Sequence, residues 1–262
     1  MKEMETNELI KQELRKISRH ARKVNKDFDK DAIHDFRVSV KSLRSFLRLI
    51  ENHTPELKPK LSKKFKQLYH SAGAIREAQL ELEVISENET PLPAYTAHLR
   101  DIINAKKEEW AILFSKKLLD DLKAKLTSKC DIKAPQTALK DFTMKKLTAV
   151  RKLMKIKHPG TVHLHQVRKD LKDLIYVTSI AEKNWHIPKQ FIEDIQLEKM
   201  KKIAGAIGDY HDKKVMQSHM DAFCLKNTDG EEKKTIQNYN LKNKAKLKQE
   251  KTNLLAAIHA II

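Results

Sequence analysis

The sequence predicts an all-α protein built from two four-helix bundles related by a pseudo-twofold axis. Glycine occurs 5 times in 262 residues and aromatic residues make up 6% of the chain, which argues against a sheet-rich fold. Apolar residues recur at intervals of three and four, the period of an amphipathic helix. Hydrophobic residues account for 40% of a chain that is long enough to bury a sizeable core. An internal repeat divides the helices into two sets.

Proline and glycine separate the predicted helices, because both residues interrupt helical periodicity. In chain order, the interrupting residues are Pro55 and Pro59, Pro91 and Pro93, Pro135, Pro159 and Gly160, Pro188, and Gly230. The predicted helices are 5–26, 31–51, 57–88, 94–128, 136–157, 161–182, 189–226 and 232–261. Short connections of this kind favour antiparallel neighbours in a bundle.

The formal net charge is +18, and such an excess of Lys and Arg indicates a polyanionic partner. Cys130 and Cys224 stand far apart with no Cys-x-x-Cys pair, which argues against a disulfide scaffold and a thiolate zinc site. The N-terminus lacks the apolar run of a signal peptide, and no apolar stretch approaches about 18 residues. We therefore expect a cytoplasmic protein that does not contact a membrane.

The internal repeat consists of two short motifs that occur twice in the same order. Residues 33–43 and 164–174 both fit Φ-His-x-Φ-Arg-x₂-Φ-Lys-x-Leu, where Φ is apolar. Residues 73–77 (GAIRE) follow the first copy and residues 208–212 (GDYHD) follow the second. Chance similarity between basic helices accounts for one such motif but poorly for two at nearly the same spacing. The repeat predicts a first half, 1–132, and a second half, 133–262.

The first His motif places a row of cations beside an apolar face of its helix. At about 100° per residue, one arc holds the apolar positions Ile33, Phe36, Val40, Leu43, Leu47 and Ile50. The adjacent arc, which we call the first stripe, holds His34, Arg37, Lys41, Arg44 and Arg48. Like charges three and four residues apart repel each other, so a bound anion explains this stripe better than solubility does.

The second copy of the motif forms a shorter row, which we call the second stripe. It comprises His165, Arg168 and Lys172, and Ile175 stands where the first copy has Arg44. Other predicted helices can add basic side chains to either stripe. The candidates for such additional contacts are Arg19, Arg22, Lys64, Arg151 and Lys202.

The second motif begins with a glycine inside a predicted helix, where glycine costs about 1 kcal/mol relative to alanine. Gly73 and Gly208 therefore predict the close approach of another helix. The motif's further candidates are the basic residues Arg76 and His211 and the acids Glu77 and Asp212. Each acid either holds the rotamer of a stripe residue or forms an ordinary surface ion pair.

At these residues the sequence resembles the CHAD family, the conserved histidine α-helical domain. The resemblance covers nearly the whole chain, 1–262, as a single stand-alone domain. It implies a helical fold with a central basic channel, binding of inorganic polyphosphate, and association with polyphosphate granules. By this resemblance, the polyphosphate-binding residues are His34, Arg37, Lys41, Arg44, His165, Arg168 and Lys172, with Arg76 and His211 as additions. Arg48 joins the predicted polyphosphate-binding residues as the last cation of the first stripe.

Two further function classes are alternatives to polyphosphate binding. Nucleic-acid binding on the same basic surface is the alternative, although the chain lacks a helix-turn-helix, a zinc finger or an aromatic stacking platform. An enzyme is not expected, because no nucleophile–base set is visible. Residues 81–83 (ELE) also lack the lysine of the Glu-x-Glu-x-Lys strand that marks the triphosphate-tunnel domain fused to many relatives. No metal or cofactor is expected, and the sequence does not determine the oligomeric state.

Overall fold

The structure is a computed structural model that describes residues 4–87, 92–134, 136–156, 159–185, 191, 196–226 and 230–259. It is helical, as predicted. The helices in the described ranges are α1 (Thr6–Asp27), α2 (Lys30–His53), α3 (Lys63–Glu87), α4 (Pro93–Leu113), α5 (Lys116–Lys129), α6 (Gln136–Met154), α7 (Thr161–Trp185), α8 (Leu197–Lys226) and α9 (Glu231–His259). Two strands of two residues, β1 (Met4–Glu5) and β2 (Lys133–Ala134), pair antiparallel.

Several helix boundaries follow the residues that predicted them. Pro93 is the first residue of α4, a position where its missing N–H costs nothing. Gly230 precedes α9 with φ of +114°, a conformation that favours glycine. The Asp29 carboxylate caps α2 by accepting hydrogen bonds from the backbone N–H of Asp31 at 3.0 Å and of Ala32 at 2.9 Å. This cap fixes the start of the helix that carries the first stripe.

Three predicted boundaries were wrong. The prediction of one helix over 94–128 fails because Ser115 begins a new helix: its hydroxyl accepts a hydrogen bond from the N–H of Leu118 at 3.1 Å. The helix predicted over 57–88 begins only at Lys63, after a cap in which the Ser62 hydroxyl accepts from the N–H of Phe65 at 3.3 Å. The helix predicted over 189–226 begins at Leu197, because Gln196 before it has a left-handed φ of +51° and interrupts the helix. Residues 186–190 and 192–195 lie outside the described ranges.

The chain forms two compact units. Unit 1 comprises residues 1–80, 100–144 and 176–188, and unit 2 comprises 81–99, 145–175 and 189–262. Unit 1 contains the first copy of both motifs and unit 2 contains the second. The contiguous halves 1–132 and 133–262 stay a prediction.

Unit 1 is organised around α1, which packs on α2 and α5. An aromatic cluster fills its core: the ring of Trp110 lies 5.1 Å from Phe36 and 5.7 Å from Phe114, centroid to centroid. The indole N–H of Trp110 donates to the side-chain oxygen of Asn25 at 3.2 Å. Because Phe36 belongs to α2, this cluster fixes the rotation of α2 and leaves its charged side facing away from the core.

In unit 2, α8 packs on α9. The buried carboxylate of Glu81 accepts hydrogen bonds from the hydroxyl of Tyr95 at 2.6 Å and from Nδ1 of His219 at 2.6 Å. The Glu232 carboxylate caps α4 by accepting from the backbone N–H of Tyr95 at 2.8 Å. No helix of the described ranges is long and apolar enough to cross a membrane.

Candidate functional site

The first stripe lies where the periodicity of α2 predicted it. The six apolar positions predicted to face the core, from Ile33 to Ile50 on α2, are fully or almost fully buried, which confirms the predicted core face. Beside them, Arg37, Lys41, Arg44 and Arg48 are half-buried and His34 is exposed. The arginine and lysine stems therefore pack against protein while α2 keeps their charged ends in one row.

Gly73 on α3 provides the surface on which Arg37 lies. The guanidinium carbon of Arg37 would be 3.2 Å from a β-carbon added at this position, and Nη1 would collide with it. The expectation that Gly73 admits another helix was wrong, because what approaches the α3 backbone is the flat end of an arginine side chain. Any residue other than glycine would occupy the place of the guanidinium.

Tyr69 supports the same guanidinium from one helical turn away on α3. The Cζ of Arg37 lies 5.1 Å from the centre of the Tyr69 ring, and the Cζ of Arg44 lies 5.7 Å from it. The ring itself is buried, with 8% of its surface exposed. One aromatic face thus holds two arginines of the first stripe by cation–π contacts. Sequence reasoning missed Tyr69, although its spacing of four residues from Gly73 places both on one helix face.

His34 and Arg76 complete the cationic cluster of unit 1. Partial desolvation by neighbouring protein atoms lowers the pKa of His34 below its ordinary 6.5, and the positive charges of Arg76 and Lys41 lower it further, against the opposing effect of nearby carboxylates. Arg76 thus acts electrostatically on the first stripe. The predicted pairing of Glu77 is present but loose: its carboxylate lies 3.8 Å from Nη2 of Arg37, and the Glu77 side chain is 49% exposed. Such a pair contributes little to stability.

Unit 2 repeats the arginine–glycine contact with other neighbours. Nε and Nη2 of Arg168 would each lie 3.0 Å from a β-carbon added at Gly208 on α8. Nε of Arg168 is buried and forms no hydrogen bond among the residues that the structure describes. This N–H group can form its hydrogen bond when an anion or a water molecule reaches it.

The remaining basic residues of the second stripe gather around Arg168. The rings of His165 and His211 face each other with centroids 5.2 Å apart. Burial lowers the pKa of Lys172, and the positive charge of Arg168 lowers it further. Asp212 is exposed and makes no ion pair within the described ranges, so the predicted pairing of this acid is not present.

The second stripe lacks both the arginine and the aromatic ring of the first. Ile175 replaces Arg44 and is 8% exposed, and Ala204, at the position that matches Tyr69, is completely buried. The two replacements belong together, because Tyr69 holds Arg44. Unit 2 thus has a smaller cationic cluster, in which Arg168 remains and an isoleucine stands in place of the second arginine.

Beneath the second stripe, α7 is anchored by an ion cluster that the sequence did not reveal. Nζ of Lys146 lies 2.6 Å from a carboxylate oxygen of Asp170 and 2.9 Å from one of Asp173. Both carboxylates are buried. Despite the opposing effect of burial, these negative charges raise the pKa of Lys146. Residues 170 and 173 lie within the His motif itself, and the sequence does not distinguish buried acids at these positions from exposed ones.

The additional basic contacts are exposed on their helices, and their part in binding stays a prediction. These residues are Arg19, Arg22, Lys64, Arg151 and Lys202. Among the described residues, no group of three or more His, Cys, Asp or Glu side chains is arranged to hold a metal ion.

Comparisons with known proteins identify the fold and the family of this chain. The family model of the CHAD domain matches residues 8–221. The crystal structure of the CHAD domain from the plant Ricinus communis is similar to this chain, with a TM-score of 0.77 and 18% sequence identity, over 98% of this chain and 91% of that one. No curated protein matches the sequence. Since the family model spans most of the chain, including both copies of the repeat, the protein belongs to the CHAD family.

Proposed function

We propose that this protein binds inorganic polyphosphate on the first and second stripes. The observation that carries the proposal is that the cations in each stripe crowd one another. In unit 1 the positive charges of Arg76 and Lys41 contribute to the low pKa of His34, and in unit 2 Arg168 does the same to Lys172. A bound polyanion relieves this repulsion and favours the charged forms.

The arrangement suits a linear polymer of phosphates. Successive cations three and four residues apart on a helix are spaced by about 4.5–6 Å along its axis, so they can meet successive phosphates of an extended chain. Arginine contributes paired hydrogen bonds to phosphate oxygens and lysine contributes a point charge. Packing on Gly73 and Tyr69 holds the Arg37 guanidinium before a ligand arrives, which reduces the entropy lost on binding.

The decisive experiment is a calorimetric titration with long-chain polyphosphate. We expect binding that weakens as salt rises, because bound counterions are released. The double variant Arg37→Glu and Arg168→Glu should lose it. A matched control, Lys116→Glu and Lys117→Glu, changes the charge equally at exposed positions of α5 and should bind nearly as well as the wild type.

Single-stranded RNA serves as a competitor at matched phosphate concentration. Little competition supports a polyphosphate site, whereas equal binding of both polymers favours the alternative, nucleic-acid binding on the same stripes. A double variant that binds as tightly as the control would refute the assignment of the stripes.

Two further parts of the proposal have their own tests. We propose that the protein binds the polymer without cleaving it, so polyphosphate recovered after prolonged incubation should keep its length on a gel. We also propose that it acts in the cytoplasm at polyphosphate granules. A fluorescent fusion should then form foci that disappear in cells unable to make the polymer and in cells carrying the double variant.

A further inference from the structure

The last helix, α9, carries an unusual run of positive charge outside the two stripes. Residues 233–249 contain six lysines and no acid. Five of them are exposed, and the four that lie within two helical turns of one another form what we call the lysine face: Lys242, Lys244, Lys246 and Lys248. The family model ends at residue 221, so this helix lies beyond the segment that identifies the family.

Several lysines elsewhere in the protein form an ion pair with an acid on the same helix. Nζ lies 2.6 Å from a glutamate oxygen in the pairs Lys11–Glu8, Lys106–Glu109 and Lys201–Glu198, each within one helical turn. By contrast, no residue of the lysine face forms an ion pair within the described ranges. Lysines four residues apart on one helix repel each other. The face therefore carries a strain that an external polyanion would remove.

The lysines of this face lie in two rows with a neutral strip between them. The angles around the helix axis are measured from Leu241, at about 100° per residue. Lys242 and Lys246 form one row, about 100–140° to one side of Leu241. Lys244 and Lys248 form the other row, about 20–60° to the opposite side. The strip between the rows is exposed and uncharged, and consists of Asn238, Leu241, Ala245 and Gln249. The opposite side of α9 is buried by packing on α8 and is not available to insert into a lipid surface.

We infer that the lysine face docks in the major groove of double-stranded DNA, a function separate from polyphosphate binding. This groove is about 12 Å wide and admits one α-helix. A helix lying there places its two flanks beside the two phosphate backbones and its centre over the base edges. Two lysine rows with uncharged residues between them match this arrangement, whereas the single row of each stripe matches one linear polymer. The deep, narrow major groove of duplex RNA excludes a helix.

Binding to a DNA duplex of about two helical turns tests the inference, measured by fluorescence anisotropy over a range of salt concentrations. The test variant replaces the four lysines of the face with glutamine, a good helix former, and should weaken binding at least tenfold at low salt. The logarithmic salt slope should fall by about 3–4, the value for four lost phosphate contacts. A variant with arginine at the same four positions keeps the charge and should still bind.

The control replaces four exposed lysines of α5 with glutamine, which changes the net charge by the same amount on a helix that also carries acids. These are Lys116, Lys117, Lys123 and Lys125. The control variant should keep the wild-type affinity for DNA and the wild-type salt slope. Circular dichroism establishes that each variant is folded. The inference is overturned if the control weakens DNA binding as much as the α9 variant, if the α9 variant binds DNA as well as the wild type, or if duplex RNA binds equally.

Polyphosphate and lipid serve as further probes. The α9 variant should bind polyphosphate as the wild type does, and the Arg37→Glu and Arg168→Glu variant should retain DNA binding, so each proposal can fail without the other. Loss of polyphosphate binding in the α9 variant, or lysine-dependent binding to anionic vesicles with none to DNA, would also overturn the inference.

Discussion

Replacing Gly73 with alanine separates the stability of α3 from the placement of Arg37. In the interior of a helix, glycine-to-alanine substitution stabilises by about 0.5–1 kcal/mol when there is room for the methyl group. At position 73 the methyl group would collide with the Arg37 guanidinium, the end of a flexible side chain that can move away. Loss of its contact with Tyr69 costs about 0.5–1 kcal/mol. We therefore expect a net change in unfolding free energy close to zero.

The binding effect of Gly73→Ala should be much larger than its effect on stability. A displaced Arg37 forfeits a charge-assisted hydrogen bond to phosphate, worth about 1.5–3 kcal/mol, which is roughly a 10- to 100-fold loss of affinity. The measurements are urea unfolding and calorimetric titration with polyphosphate at low salt.

Gly205 provides the matched control, because it lies inside α8 and a β-carbon there would meet nothing within 4 Å. Gly205→Ala should therefore be stabilising by about 0.5–1 kcal/mol and leave polyphosphate binding unchanged. Gly208→Ala, with its two contacts of 3.0 Å to Arg168, should weaken binding by less than Gly73→Ala does. If Gly73→Ala matches Gly205→Ala in both stability and affinity, the reasoning about the arginine–glycine contact is refuted.

Four other outcomes follow from the contacts within each unit. Tyr69→Leu should weaken polyphosphate binding in titrations while Tyr69→Phe, which keeps the ring, should not; equal losses would contradict the cation–π support. Lys146→Met leaves two buried carboxylates without their cation and should cost about 3–5 kcal/mol in urea unfolding. Lys172→Met should weaken polyphosphate binding yet raise the urea midpoint of unfolding at neutral pH. The reason is that the folded state disfavours the charged form of Lys172, and the substitution removes this unfavourable charge. The free protein should lose stability as the pH falls below 6.5, where His34 protonates more readily in the unfolded chain, and His34→Asn should flatten that part of the curve. Polyphosphate favours the protonated imidazole, so affinity should fall as the pH rises through the histidine range.

The parts of the fold that could be predicted are those encoded over short distances. The apolar face of α2 was predicted correctly because helical periodicity alone determines which positions face a core. The break between α4 and α5 was missed because no proline or glycine marks it. A serine in that place reads equally well as a mid-helix residue or as the cap that Ser115 forms. The late start of α3 was missed for the same reason, since Ser62 gives no stronger signal.

The candidate site was predictable in its members but not in its contacts. Glycine in a helix indicates that something comes close, yet the sequence contains no information on whether a backbone or a side chain arrives. Only the packing of α2 on α3 showed that Arg37 fills the space over Gly73. Tyr69 went unnoticed because an aromatic residue on an amphipathic helix is usually part of the core, and here it is buried and supports two arginines at once.

The helical class, the repeated motifs and the two rows of cations could be read from the sequence alone, because periodicity and repetition are visible in the order of residues along the chain. Tertiary structure decided what each charge meets. It set Arg37 on Gly73 and Tyr69 in unit 1, and it set Arg168 on Gly208 in unit 2, where the buried Ala204 stands in place of the tyrosine. It also paired Lys146 with two acids that the motif alone would place in solvent. The physical reason is that burial and electrostatic pairing depend on distances between residues far apart in the chain, which only the packed helices establish.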